Sequence, residues 1–178
     1  MILKKPRVKS SASLNEPEGH GLPSSRQSHS AESARAYAFL LLKFRLRSEN
    51  ELKTRLKQKG FSEELSKETV NFLKDKEFID DRVFARSWVA SRLKRPFGFR
   101  KIKQELIQKG LDKEIIENSL SQVKEHYNES QIVSQLAQQR FSKLKGIEPL
   151  KAKARVYAYL IRRGFAPDVV SEIIRGLK

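Results

Sequence analysis

Leu56-Lys57-Gln58-Lys59-Gly60-Phe61 returns as Leu106-Ile107-Gln108-Lys109-Gly110-Leu111 and again as Leu160-Ile161-Arg162-Arg163-Gly164-Phe165, without a gap in the alignment. Each copy ends an apolar-periodic, basic helix with a glycine and then a large apolar residue. Glycine is the preferred residue just past a helix end, because it enters the left-handed region without a Cβ penalty. The glycines are 50 and then 54 residues apart, a period that predicts a repeat architecture. A tandem array exposes a long surface and seldom a deep pocket, which favours binding over catalysis.

Around each glycine the same order of signals recurs. In the first unit, Ala34, Ala38, Leu41 and Leu42 make a helical stripe running to about Leu46. Ser48-Glu49-Asn50-Glu51 is a capping-box pattern, followed by a stripe of Leu52 and Leu56 that stops at Gly60. Ser62 caps a third helix, with Leu65, Thr69 or Val70, and Leu73 inside. The second unit opens at Asp80-Asp81 with Val83, Phe84, Trp88 and Val89, turns at Phe97-Gly98-Phe99, continues through Ile102 and Leu106, and closes with Ile115, Ile116, Leu120 and Val123 after Asp112. The third runs from about Asn128 through Val133 and Leu136, restarts at Pro149, where a missing N–H costs nothing, and restarts again at Ala166-Pro167-Asp168. The expectation is an all-α chain of three tandem three-helix repeats, over residues 33–79, 80–126 and 127–178, in an elongated, curved body. Residues 1–32, rich in Ser, Pro and Gly without periodicity, are expected to be a flexible tail.

The composition agrees with an array that meets a polyanion. Charged residues make up 33% of the chain and the formal net charge is +16, enough to attract nucleic acid. The excess sits in the repeats: residues 1–33 carry +2, residues 34–79 and 80–126 carry +4 each, and residues 127–178 carry +6. There is no cysteine, so disulfides and thiolate metal sites are excluded. The start of the chain, Met1-Ile2-Leu3-Lys4-Lys5-Pro6, lacks the apolar stretch of a secretory signal, and no apolar run nears the ~20 residues that span a bilayer. A cytoplasmic location is expected.

Three stretches resemble the RecX family, bacterial regulators of the recombinase RecA. They are Ser48-Glu49-Asn50-Glu51-Leu52 with Leu56 to Phe61, Phe78-Ile79-Asp80-Asp81-Arg82-Val83-Phe84-Ala85, and Gly98-Phe99-Arg100-Lys101-Ile102-Lys103-Gln104-Glu105-Leu106 closing on Lys109-Gly110-Leu111. The resemblance covers about residues 34–125, and the third unit matches by pattern more than by identity. It implies a tandem three-helix fold. It also implies a partner: the RecA filament on single-stranded DNA, with the regulator lying in the filament groove and limiting ATP hydrolysis, coprotease function and strand exchange.

Catalytic constellations are scarce. The three histidines, His20, His29 and His126, form no cluster, and no Gly-rich loop ends in Gly-Lys-Ser/Thr. Asp80-Asp81 with Asp75 and Glu77 has the composition of a magnesium site, but capping the next helix explains the pair more simply. No enzyme activity, cofactor or metal is expected. The basic residues carry the stronger signal. Arg92, Lys94, Arg95, Arg100, Lys101 and Lys103 surround a turn with Phe97 and Phe99 interleaved, a composition that suits a groove tracking a nucleic-acid backbone. Lys151, Lys153, Arg155, Arg162 and Arg163 form a second basic stretch. The plain alternative is that these side chains only solubilise helix faces, that Phe97, Phe99 and Trp88 are packing residues, and that Lys59, Lys109 and Arg163 only complement helix dipoles.

The expected function is a monomeric, non-enzymatic regulator that binds a recombinase filament and the single-stranded DNA within it, with double-stranded DNA a further candidate ligand. The alternative is a helix-turn-helix transcription regulator. That reading needs base-reading side chains at the start of a recognition helix, whereas the helices after Ser62 and Asp112 open with acids.

Overall fold

The computed structural model describes residues 30–177, and among them there are nine α-helices and no strand. Unit 1 comprises α1 (Ala31–Phe44), α2 (Glu49–Gln58) and α3 (Glu63–Asp75). Unit 2 comprises α4 (Asp81–Leu93), α5 (Phe99–Gln108) and α6 (Lys113–Lys124). Unit 3 comprises α7 (Glu129–Ser142), α8 (Pro149–Arg162) and α9 (Pro167–Gly176). The tail expected over residues 1–32 falls almost wholly outside the described residues. Its last two residues already belong to α1, which begins three residues ahead of the apolar stripe. Ser30 explains the early start: its Oγ accepts the Ser33 amide at 3.1 Å, a cap that periodicity does not reveal because the first turn buries no apolar side chain.

Each unit has its own core. Ala34, Ala38, Leu41, Leu52, Leu56 and Leu73 fill the first, Phe84, Val89, Ile102, Leu106 and Ile116 the second, and Val133, Val156, Leu160, Phe165 and Val170 the third. All the extensive helix-on-helix packing lies inside a unit. Full burial of one Leu or Phe side chain is worth about 1.5–3 kcal/mol, so these small cores supply most of what holds each unit together. The units follow one another in chain order, and they are joined mainly by hydrogen bonds, ion pairs and ring contacts rather than by helix-on-helix packing.

The repeated glycine turn is built the same way three times. The amide of residue 61, 111 or 165 reaches back to the carbonyl of Leu56, Leu106 or Leu160, and the glycine amide to that of Lys57, Ile107 or Ile161. The glycines take φ of +102°, +77° and +84°, the left-handed cap that any side chain resists. Capping elsewhere follows the sequence in part. Ser48, Ser62, Asp80 and Asn128 accept amides of the first turns they precede. Asp112 holds the cap position of α6 but makes no side-chain cap bond.

Candidate nucleic-acid interface

The glycine turns of units 2 and 3 are more than helix ends. Each is pressed onto the first turn of the middle helix of the preceding unit. At the joint between units 1 and 2, the Ser48 hydroxyl, which already accepts the Glu51 amide at 3.1 Å, donates to the Lys109 carbonyl at 2.7 Å. Lys109 Nζ lies 2.6 Å from Glu51 Oε1, and Arg45 grips both oxygens of the same carboxylate at 2.9 and 3.1 Å. Burial on its own would raise the Glu51 pKa. Hydrogen bonds and charge from Arg45 and Lys109 outweigh that and hold it at about 2. The same Lys109 ammonium stands 4.0 Å from the centre of the Trp88 ring, with Arg92 at 4.3 Å from it. A Cβ on Gly110 would run into the Asn50 side chain.

The joint between units 2 and 3 uses backbone where the first uses side chains. The Gly98 amide donates to the Arg163 carbonyl at 2.9 Å and the Arg100 amide to the Gly164 carbonyl at 3.1 Å. Both glycines are buried. A Cβ on Gly98 would meet the Gly164 carbonyl, and one on Gly164 would meet Lys101. Only hydrogen fits on either side. The Arg163 guanidinium donates to the Pro96 carbonyl at 2.9 Å and lies over the Phe97 and Tyr159 rings. Tyr127 donates to the Phe97 carbonyl at 3.3 Å and meets Phe99 edge-on at 5.0 Å.

One further element recurs. The first residue of the following unit sends a carboxylate back to cap the middle helix of the unit before: Asp81 Oδ1 accepts the Glu49 amide at 2.9 Å, and Glu129 Oε1 accepts the Phe99 amide at 3.4 Å. Burial pushes Asp81 up to about 6 against that hydrogen bond, and burial also raises Glu129. Asp80, its neighbour, performs the local cap that the sequence suggested for the pair. In α8 the equivalent position is Pro149, which has no N–H to cap.

The second joint unites the two basic stretches that the sequence presents separately. Arg100, Lys101 and Gln104 of α5 face Ile161 and Arg162 of α8 across a groove of about 380 Å³ floored by Gly164 and Phe165. Arg100 and Arg162 are exposed and have no side-chain partner among the described residues, while the Lys101 ammonium rests over the Phe97 ring at 4.7 Å. Two guanidiniums and an ammonium from two units thus border one channel, a composition suited to the oxygens of a phosphodiester chain.

The other basic residues fare differently. Arg92 turns inward: its Nε is 2.6 Å from Glu105 Oε2, which also accepts Trp88 Nε1 at 3.0 Å. Arg163 is consumed by the joint. Lys94 and Arg95 are exposed at the end of α4. Lys103 pairs with Glu117 at 3.6 Å and Lys151 with Glu148 at 3.1 Å. Lys151, Lys153 and Arg155 sit 7 to 11 residues before Arg162, about 10–16 Å back along α8 at 1.5 Å per residue, and do not border the groove. Lys153 instead edges an apolar cleft in unit 3 with Phe141, Leu144 and Ile147. Phe97, Phe99 and Trp88 are half-buried against the unit 2 core. Sequence reasoning gave Lys109 only a helix-dipole role and Glu51 only a capping role, and it passed over Glu129 and Tyr127. The recurrence of Lys/Arg before glycine was visible, but a lone helix end accounts for it equally well.

Among the described residues no group of three or more His, Cys, Asp or Glu could hold a metal ion, and no helix is long and apolar enough to cross a membrane. Fold and groove define a linear array of three-helix units that presents a basic channel. Residues 34–73, 80–120 and 128–174 match, in order, the first, second and third three-helix domains of RecX. The chain belongs to the RecX family of regulatory proteins. It is 33% identical over 150 residues to the regulatory protein RecX of Chlorobium limicola, covering 84% of this chain and 92% of that one. It is 32% identical over 133 residues to the namesake of Clostridium botulinum strain Eklund 17B, where it spans only 61% of a longer protein. The crystal structure of RecX from Lactobacillus salivarius shares the fold, with a TM-score of 0.70 over 82% of this chain and 94% of that one, at 23% identity.

Proposed function

We propose that this chain regulates a RecA-type recombinase by binding its filament on single-stranded DNA, holding the DNA backbone in the groove between units 2 and 3. One observation carries the proposal. Arg100, Lys101 and Arg162, more than 60 residues apart at the extremes, meet in one channel where neither guanidinium has a side-chain partner among the described residues. Bound along the filament, the three units would contact successive protomers. Linking such contacts turns later ones into intramolecular events and raises avidity by ~10²–10⁴ where the geometry allows simultaneous engagement. A body wedged in this way opposes the rearrangements of ATP turnover and occludes a second strand. The molecule acts as a monomer and carries out no reaction of its own.

The rival reading, a helix-turn-helix transcription regulator, is disfavoured by the acids in the first turns of the last helix of each unit: Glu63 and Glu64, Glu114, and Asp168. They would repel phosphate where a recognition helix must enter the groove. The test is the ATPase of a RecA–single-stranded DNA filament titrated with the wild type and with Arg100→Glu/Lys101→Glu/Arg162→Glu. Inhibition by the wild type and its loss in the variant is the expected result. Equal inhibition by both would remove the groove from the mechanism, and binding that depends 10³-fold or more on DNA sequence would favour the transcription regulator.

A further inference from the structure

Unit 2 has a second groove, lined by α4 and α6 alone. Arg82 and Arg86, four residues apart, share one face of α4, and across from them α6 presents Asn118, Ser121 and Gln122, with Glu114 and Ile115 at one side. The volume is about 380 Å³, equal to that of the groove at the second joint. Both arginines are exposed, and neither side chain has a partner among the described residues. Two other arginines of the chain are neutralised by carboxylates: Arg45 grips Glu51, and Arg92 grips Glu105. Here Glu114 borders the same groove yet makes no ion pair with either arginine.

The chemistry of the walls narrows the ligand. Two guanidinium forks supply donors in the planar geometry that matches phosphate oxygens. The facing amides of Asn118 and Gln122 can donate to phosphate or sugar oxygens. Two guanidiniums less one carboxylate leave a single positive charge in the groove, which balances one phosphodiester. A free dianionic phosphate would be less well matched beside Glu114. Arg82 also borders the neighbouring cleft at the first joint, where Glu49, Asp80, Asp81 and Asp112 stand. Those acids discourage a strand from continuing in that direction, and direct it past Arg86. Like charges at this spacing on a helix repel, and a phosphate held between them relieves the repulsion. No residue of α5 or α8 lines this groove, so it is separate from the channel at the second joint.

We propose that the α4/α6 groove is a second seat for a phosphodiester backbone, so that one molecule holds two segments of nucleic acid at once. This rests on the reading that the groove at the second joint takes DNA. The experiment uses the full chain and two short single-stranded oligonucleotides, one fluorescent and one fixed to beads. Anisotropy reports binding of the first, and its capture on the beads reports bridging. The wild type is expected to bind and to bridge. Arg82→Glu/Arg86→Glu is expected to bind one oligonucleotide within about threefold of wild type, to lose bridging at least tenfold, and to show a less steep salt dependence wherever both seats are filled, since each phosphate contact on a single strand contributes about 0.7 to the log–log slope.

Bridging at the wild-type level by that variant would overturn the proposal. So would loss of all oligonucleotide binding, which would mean one continuous site. A variant normal with oligonucleotides but defective on the filament would show that the groove takes an acidic protein surface instead. Failure of the wild type to bind any oligonucleotide would overturn the DNA contact at the second joint as well, whereas binding without bridging would remove the second seat alone.

Discussion

The two joints solve one problem with different materials. In the first, Ser48, Glu51, Arg45 and Lys109 form a half-buried ionic and hydroxyl network around the start of α2. In the second, two glycines let the turn after α8 lie backbone to backbone on the start of α5. The ionic joint spreads its interaction over side chains that can shift and be exchanged. The glycine joint has no such slack, because any Cβ collides with main chain. The basic channel lies at the joint with no slack, so its shape depends on a contact that carries no charge itself.

That contrast can be broken most sharply at the second joint. Gly164→Ala places a methyl against Lys101 and forces a φ of +84° on alanine, a combination expected to cost about 2–4 kcal/mol from strain and overpacking. We expect single-stranded DNA affinity to fall at least tenfold although every arginine and lysine remains. Hydrogen exchange at the Gly98 and Arg100 amides should rise in parallel. Unchanged exchange would mean that the joint tolerates the methyl.

At the first joint, Lys109→Met leaves Glu51 with Arg45 as its one charged partner among the described residues, beside the Ser48 amide. Charge-assisted hydrogen bonds at half-buried sites are worth about 1.5–3 kcal/mol, and a loss of that size is expected in urea unfolding, with DNA affinity changed less than in the Gly164 variant. The other two glycines of the repeated turn give a matched pair. Gly60 and Gly110 share the left-handed conformation, but open space surrounds the first while Asn50 abuts the second. Both alanine variants should lose about 1–2 kcal/mol from backbone strain. Any excess in Gly110→Ala measures the displacement of Asn50.

The smallest effect concerns pH, and the two carboxylates of the first joint act in opposite senses. Glu51, held near 2, contributes stability that is fully present above its unfolded value of 4.5 and is lost as pH falls through about 2. Asp81, raised to about 6, contributes stability that is present below 3.8 and is lost as pH rises through about 6. Asp81→Asn keeps an oxygen to accept the Glu49 amide and removes the charge. It should raise the midpoint of thermal unfolding at pH 8, by an amount matching roughly 1 kcal/mol, and have no such effect at pH 4.

Much of this molecule was legible before any coordinates. The leucine and valine stripes at helical spacing located all nine helices of the described residues, and Ser48, Ser62, Asp80 and Pro149 marked their starts. The start of α1 was less clear because Ser30 caps a turn that buries no apolar side chain. The interface was legible only as composition. Arg92 looked as free as Arg100, since nothing local shows that Glu105, 13 residues on, would claim it. Lys109 looked like an ordinary last-turn cation and Arg163 like that or a member of the second basic stretch, and the acid or carbonyl each one reaches lies 58 or 67 residues earlier.

Helices, most of their caps and the apolar stripes that fill each core were therefore determined by the sequence itself, because they arise from neighbours three or four positions apart, whose relative placement is set by the helical repeat. Only the tertiary structure decided which turn rests on which helix start, which cations are spent on holding units together, and which converge on a channel. Those outcomes depend on contacts between residues some sixty positions apart, where packing rather than local periodicity selects the partner.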